Sequence, residues 1–386
     1  MPPTTRTVTA VLTIVGAVWG LSCSQESPVA SAPAGKARSD DCPLCAFLGD
    51  ENYTIAEGQG AHTSPDSTDQ TPPDSTASET PAESPEETPD TDGGQADASA
   101  EPSSATETGW PMAGTITKLT DIGKARAYSP AWSPDGTQIA FTYTHVSGSL
   151  RLHSDVYVMA VDGSNLRRLT HSGHDDYEPA WSPDGTQIVF TSDRDGGDAI
   201  YVMDAEDGGN KRRIYGGGMP EWSPDGLQIA FWNPYEVGVI DINGTNVRWL
   251  APSPRWDGEP AWSPDGAQIA FISQRDGRPS DLYVTDLDGQ TVRRLTYGDG
   301  WTYAPAWSPD GRYIAFHELR GDDQSDLYVI SADGQRTQKL IEHPSDDAAP
   351  AWSPDGTKLA FCSTREQDHY IAGLPHMAIY VVELHY

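Results

Sequence analysis

PAWSPDG, Pro179–Gly185, is the stretch that decides the fold. The same seven residues return at Pro130–Gly136, Pro260–Gly266, Pro305–Gly311 and Pro350–Gly356, and PEWSPDG stands at Pro220–Gly226. Their tryptophans, Trp132, Trp181, Trp222, Trp262, Trp307 and Trp352, are separated by 40 to 49 residues. A period near forty residues with four short strands per unit is the sequence pattern of a β-propeller. Each residue of the heptapeptide has a geometric task. The first Pro is expected to begin an innermost strand, where a missing N–H is tolerated. Trp offers a large apolar face to the neighbouring blade. In S-P-D-G, Pro presets φ, Asp caps the turn and Gly takes the left-handed position. Six equivalent copies meet a geometric requirement, whereas catalysis needs one, so these aspartates are assigned to turns.

The fourth unit shows the rest of the pattern. GEPAWS (258–263) reads as a first strand and AQIAFIS (267–273) as a second, with Ile269 and Phe271 on one face. DLYVTDL (281–287) and QTVRRLT (290–296) read as the third and fourth, joined by the turn signal Asp288-Gly289. The last unit stops after its third strand, MAIYVVELHY, while an orphan strand, TITKLT (115–120), precedes the first unit. The two defects complement each other. The expected fold is all-β: a six-bladed β-propeller of four-stranded antiparallel blades, closed by an N-terminal strand that completes the last blade. It occupies 114–386, long enough to bury about three-quarters of its unfolded surface.

Outside the repeats the texture changes. The formal net charge is −32, which argues against nucleic acid or an anionic membrane surface as partner. Residues 1–23 read as a signal peptide with Arg6 ahead of the apolar run Val8–Leu21. Gly20–Cys23, GLSC, resembles the lipobox of bacterial lipoproteins, which makes Cys23 a lipid anchor. Ala30-Ser31-Ala32 offers an ordinary cleavage site instead, so simple secretion is the alternative. Residues 24–113, rich in Ser, Thr, Pro, Glu and Asp, are too poor in apolar groups to offset their ordering entropy and read as a disordered acidic tether. Cys42 and Cys45 read as a local disulfide, with half of a zinc site that lacks its partner pair as the alternative.

Meander geometry places the SPDG turns and the third-to-fourth-strand turns on one face. The loops that vary, from WNPYE (232–236) to CSTREQDHYIAGLPHM (362–377), lie on the other. Function is expected on that variable face, at the channel mouth. Its histidines are His145, His153, His171, His174, His317, His343, His369 and His376. The candidate ligand-binding set is Tyr128, His174, Asp176, Tyr177, Glu178, Trp256, Asp257, Glu259, Trp301, Tyr303, His343 and Asp347. Aromatic anchors in a polar rim suit a protein or peptide. Asp176, Glu178, Asp257 and Glu259, if turned into the channel, suit a cation such as Ca²⁺. A His/Asp site holding a transition metal for lyase or hydrolase chemistry is the alternative. No G-x-S-x-G or H-E-x-x-H occurs, and no catalytic residue is assigned.

The repeat pattern P-x-W-S-P-D-G-x-x-I-A-F, followed by L-Y-V and R-x-L-T, resembles the propeller repeat of the TolB family, also described as WD40-like PD40 repeats. The resemblance covers the whole repeat region. That family's pattern includes an acidic pair before the Trp, matched here by Asp176/Glu178 and Asp257/Glu259, and by Asp347 alone in the last blade. TolB carries an α/β domain ahead of its propeller. This chain has the acidic tether there, so it reads as TolB-like, not TolB proper. The resemblance implies an extracytoplasmic protein-interaction module, expected to be a monomer and to meet a membrane only through its lipid anchor.

Overall fold

The computed structural model describes residues 109–386 apart from 122–124, 148–150, 278, 322–323, 366–369 and 372–373. The expected signal peptide, Cys23, Cys42 and Cys45, and nearly all of the acidic tether lie outside the described residues. Six four-stranded antiparallel sheets succeed one another along the chain, and the described residues contain no helix. Blade 4 is typical, with strands Asp257–Trp262, Gln268–Ser273, Asp281–Asp286 and Val292–Arg294 in that spatial order. Blade 1 departs in length. Its second and third strands, Gln138–Ser147 and Arg151–Ala160, have ten residues each against six in blade 4.

Ring closure follows the expectation. Met112–Lys118 pairs antiparallel with Ala378–His385, as Thr117 opposite Val381 and Lys118 opposite Tyr380, and becomes the outer strand of blade 6. The strand starts three residues before Thr115. Thr120 Oγ1 accepts the Ile379 N–H at 2.9 Å. Trp110 packs at a tilt against Tyr313 of blade 5 with ring centroids 5.0 Å apart.

The core repeats with the sequence. Phe141, Phe190, Phe231, Phe271, Phe316 and Phe361, one per blade at the same register, are all fully buried. The motif tryptophans pack between blades as expected. Trp132 Nε1 donates to the Ala351 carbonyl and Trp352 Nε1 to the Ala306 carbonyl, each at 3.1 Å. The turns also match their reading: Ser182 Oγ donates to Asp184 at 2.6 Å, Gly185 has φ of 72°, and a Cβ there would sit 3.3 Å from Pro134 of the previous blade.

One expectation is corrected. The first Pro of the heptapeptide does not begin the innermost strand. Strand Asp176–Trp181 starts three residues earlier, and a β-bulge falls between Tyr177 and Ala180. The residue before that Pro has positive φ in every blade: Ser129, Glu178, Met219, Glu259, Ala304 and Ala349, between 47° and 54°. The bulge takes Pro out of the ladder, so its missing N–H breaks no pairing.

Because the outer strand of blade 6 comes from the other end of the repeat region, its removal should open the ring. A chain beginning at residue 121 is expected to unfold at lower urea than the full chain, and a synthetic peptide spanning 109–120 should restore part of the loss. Equal midpoints would show that the strand is dispensable.

Candidate functional site

The innermost strands enclose a channel. A cavity of about 210 Å³ is lined by the six prolines that follow the bulges, together with Glu178, Met219, Glu221, Glu259, Tyr303 and His317. A bulge at φ near 50° turns the backbone N–H toward the preceding blade, where it needs an acceptor. In four blades the side chain after the core Phe supplies it. Thr142 Oγ1 accepts from Glu178 N at 3.0 Å, Thr191 Oγ1 from Met219 N at 3.1 Å and His317 Nδ1 from Ala349 N at 3.5 Å. The Cys362 sulfur meets the Ser129 N–H. In blade 4 the corresponding residue is Ile272, which cannot accept, and the Glu259 carboxylate receives the Ala304 N–H instead.

The channel carboxylates thus join successive blades. Glu178 accepts from Met219 N and Thr191 Oγ1, both at 3.0 Å, and Glu221 accepts from Trp262 N at 2.8 Å. Burial opposes ionisation of all three. It pushes Glu178 and Glu221 up to about 8 and Glu259 up to about 7. Opposite them, Tyr303 stacks on His317 with centroids 5.3 Å apart. Burial lowers His317 to about 3. The imidazole is therefore neutral, accepts at Nδ1, and carries its proton on Nε2. The channel combines apolar walls, three carboxylates, a phenol and a neutral imidazole donor.

The structure divides the acids expected there. Glu178 and Glu259 line the channel, but Asp176 and Asp257 do not. Residues two apart on a regular strand share a face, and the bulge breaks that alternation. Asp176, Asp257 and Asp347 lie inside blades 2, 4 and 6, each held by one arginine. Arg194, Arg275 and Arg365 reach them at 2.7, 3.0 and 2.6 Å. Each guanidinium also donates its Nε–H to a serine, Ser192, Ser273 or Ser363, and stacks on the blade's Phe and Tyr. These aspartates are committed to the scaffold. Among the described residues no group of three or more His, Cys, Asp and Glu is arranged to hold a metal ion.

The remaining expected residues also separate. Tyr128 is buried between blades, its hydroxyl grouped with Thr144 and Ser154. Tyr177 is buried and donates to Asp198 at 2.6 Å. Tyr303 lines the channel. Trp256 and Trp301 are half-buried, and Trp256 packs over Gly258, where a Cβ would come within 2.5 Å of its ring. His174 is half-exposed beside Asp193, and His343 Nδ1 accepts the Ser345 N–H. Sequence reasoning missed Glu221 and Met219 as channel residues, and placed His317 on the variable face without including it in the ligand-binding set. Glu221 carries a visible signal, being the one departure from Ala in the heptapeptide. It also missed Arg126, 1% exposed, whose guanidinium meets the Met377 sulfur at 3.1 Å and the Tyr128 ring among the described residues.

The closed ring and its lined channel define a six-bladed propeller of the WD40-like kind. The chain belongs to the PD40 family, the TolB beta propeller domain, which matches residues 114–236 and 232–374. No curated protein matches it. Among solved structures it is similar to a putative TolB from Agrobacterium tumefaciens, with 20% identity, a TM-score of 0.51, and coverage of 69% of this chain and 96% of that one. TolB from Acinetobacter baumannii matches at 21% identity and a TM-score of 0.49 over 68% of this chain, and this chain spans 64% of its length. An oligogalacturonate lyase in complex with manganese matches at 15% identity and a TM-score of 0.48, covering 70% of this chain and 93% of that one.

Two outcomes follow from the buried charges. Unfolded glutamates titrate near 4.5 and the channel ones near 7 to 8. The folded state therefore holds more protons between these values, and stability should fall as pH rises from about 5 to about 8. Replacing Glu178 and Glu221 by Gln should flatten that slope in urea midpoints measured across the range. An unchanged slope would remove them as its cause. Separately, Arg365→Met strands a buried carboxylate and should cost about 3–5 kcal/mol. Arg126→Met removes a cation that has no carboxylate partner among the described residues and should leave the thermal midpoint undiminished; a comparable loss in both variants would contradict this account.

Proposed function

We propose that this chain is an exported propeller, tethered through residues 24–113 and anchored by Cys23, that holds a protein or peptide at its channel mouth. The observation that carries the reading is the channel itself. It is a walled cavity whose apolar lining is interrupted by Glu178, Glu221, Glu259, Tyr303 and His317. A concave apolar site with a few converging polar groups is the usual form of a binding pocket. The half-buried Trp256 and Trp301 supply amphipathic contact area of the kind that anchors interfaces. By contrast, the SPDG face spends its polar groups on its own turns, as Asp135 does with Ser133 and Thr137.

Peptides selected from a displayed random library against the immobilised chain provide the test. Tyr303→Ala and His317→Ala are expected to weaken the selected peptides at least about tenfold, or 1.4 kcal/mol. Leu227→Ala, at an exposed position on the SPDG face, should leave them unchanged. Peptides lost with Leu227→Ala but retained by the channel variants would move the site to the other face.

A further inference from the structure

The long hairpin of blade 1 carries side chains that neither the scaffold nor the channel uses. Beyond the register that suffices in blade 4, Gln138–Ser147 and Arg151–Ala160 continue as a paired extension. On it His145 lies directly opposite His153. Their ring centroids are 6.3 Å apart, with planes inclined at 40°. Both Nδ1 atoms are enclosed and have no hydrogen-bond partner. Among the described residues neither ring has a hydrogen bond at Nε2, and neither Nε2 is enclosed.

We propose that His145 and His153 form a two-imidazole site for a borderline divalent transition metal, with zinc as the reference ion and water completing the coordination. Ring spacing and ligand type support it. A metal at about 2.0–2.1 Å from two imidazole nitrogens holds the ring centroids roughly 5–6 Å apart, so the observed spacing needs only a small closure. The Asp155 carboxylate, 3.7 Å from His145 Nδ1, is held by Arg168 at 2.8 Å and leaves both rings to each other. Neutral nitrogen ligands suit zinc, copper or nickel and not calcium. The site differs from the channel in place and chemistry and does not depend on the peptide reading.

The test is calorimetric titration of the full chain, stripped of metal with a chelator, with zinc chloride and then calcium chloride. One zinc per chain is expected, with no heat from calcium. His145→Ala and His153→Ala should each weaken zinc at least about tenfold, while the His174→Ala/His343→Ala pair leaves it unchanged. Zinc should raise the thermal midpoint of the parent and not of the His145→Ala/His153→Ala double variant. The midpoints of parent and double variant in chelator should agree, because the rings lie on the extension. Zinc binding that survives in the double variant, or a parent that takes up no zinc at millimolar concentration, overturns the proposal.

Discussion

Six backbone amides at the channel wall set the terms for the rest of the molecule. Each belongs to the residue before the first Pro of the heptapeptide in its own blade, held at φ near 50°, and five of the six donate to the preceding blade. A buried N–H without an acceptor is costly, so the preceding blade must supply one. Thr142, Thr191, His317 and Cys362 do so from the position after the core Phe. Where Ile272 cannot, Glu259 does. Adjacent blades are therefore joined by directional bonds at the narrowest part of the ring, as well as by apolar packing further out.

That arrangement explains how so acidic a chain closes around its own carboxylates. Those on the strands of blades 2, 4 and 6 are neutralised by arginines that also stack on aromatic rings. Those in the SPDG turns accept Ser and backbone hydrogen bonds, which hold their pKa values below the ordinary range. The channel glutamates lie between these cases. They have hydrogen-bond donors but no cation, and burial raises them toward neutrality. Among the described residues, polar groups that the scaffold does not use include those of the channel and of the blade 1 extension.

The site was less legible than the fold for one geometric reason. Asp176 and Glu178, read as a regular strand, share a face and should share a fate. The bulge between Tyr177 and Ala180 separates them, sending the first to Arg194 and the second to the channel. Asp257 and Glu259 part in the same way. Nothing in the local residues announces the bulge, since a residue before Pro ordinarily prefers extended backbone. Tyr128 and Tyr177, chosen as rim aromatics, turned inward because their hydroxyls find partners within the interior.

The sequence by itself determined the number of blades, the turn chemistry and the closure of the last blade by the N-terminal strand. Each of these depends on spacing and on residues with narrow conformational preferences, and spacing is what a sequence records. Only the tertiary structure decided which acids reach the channel and which are neutralised. It also decided that Ile272 hands its role to Glu259, and that His145 and His153 lie opposite each other across the hairpin. Those outcomes depend on register and on contacts between blades, where one inserted residue reverses the direction of a side chain.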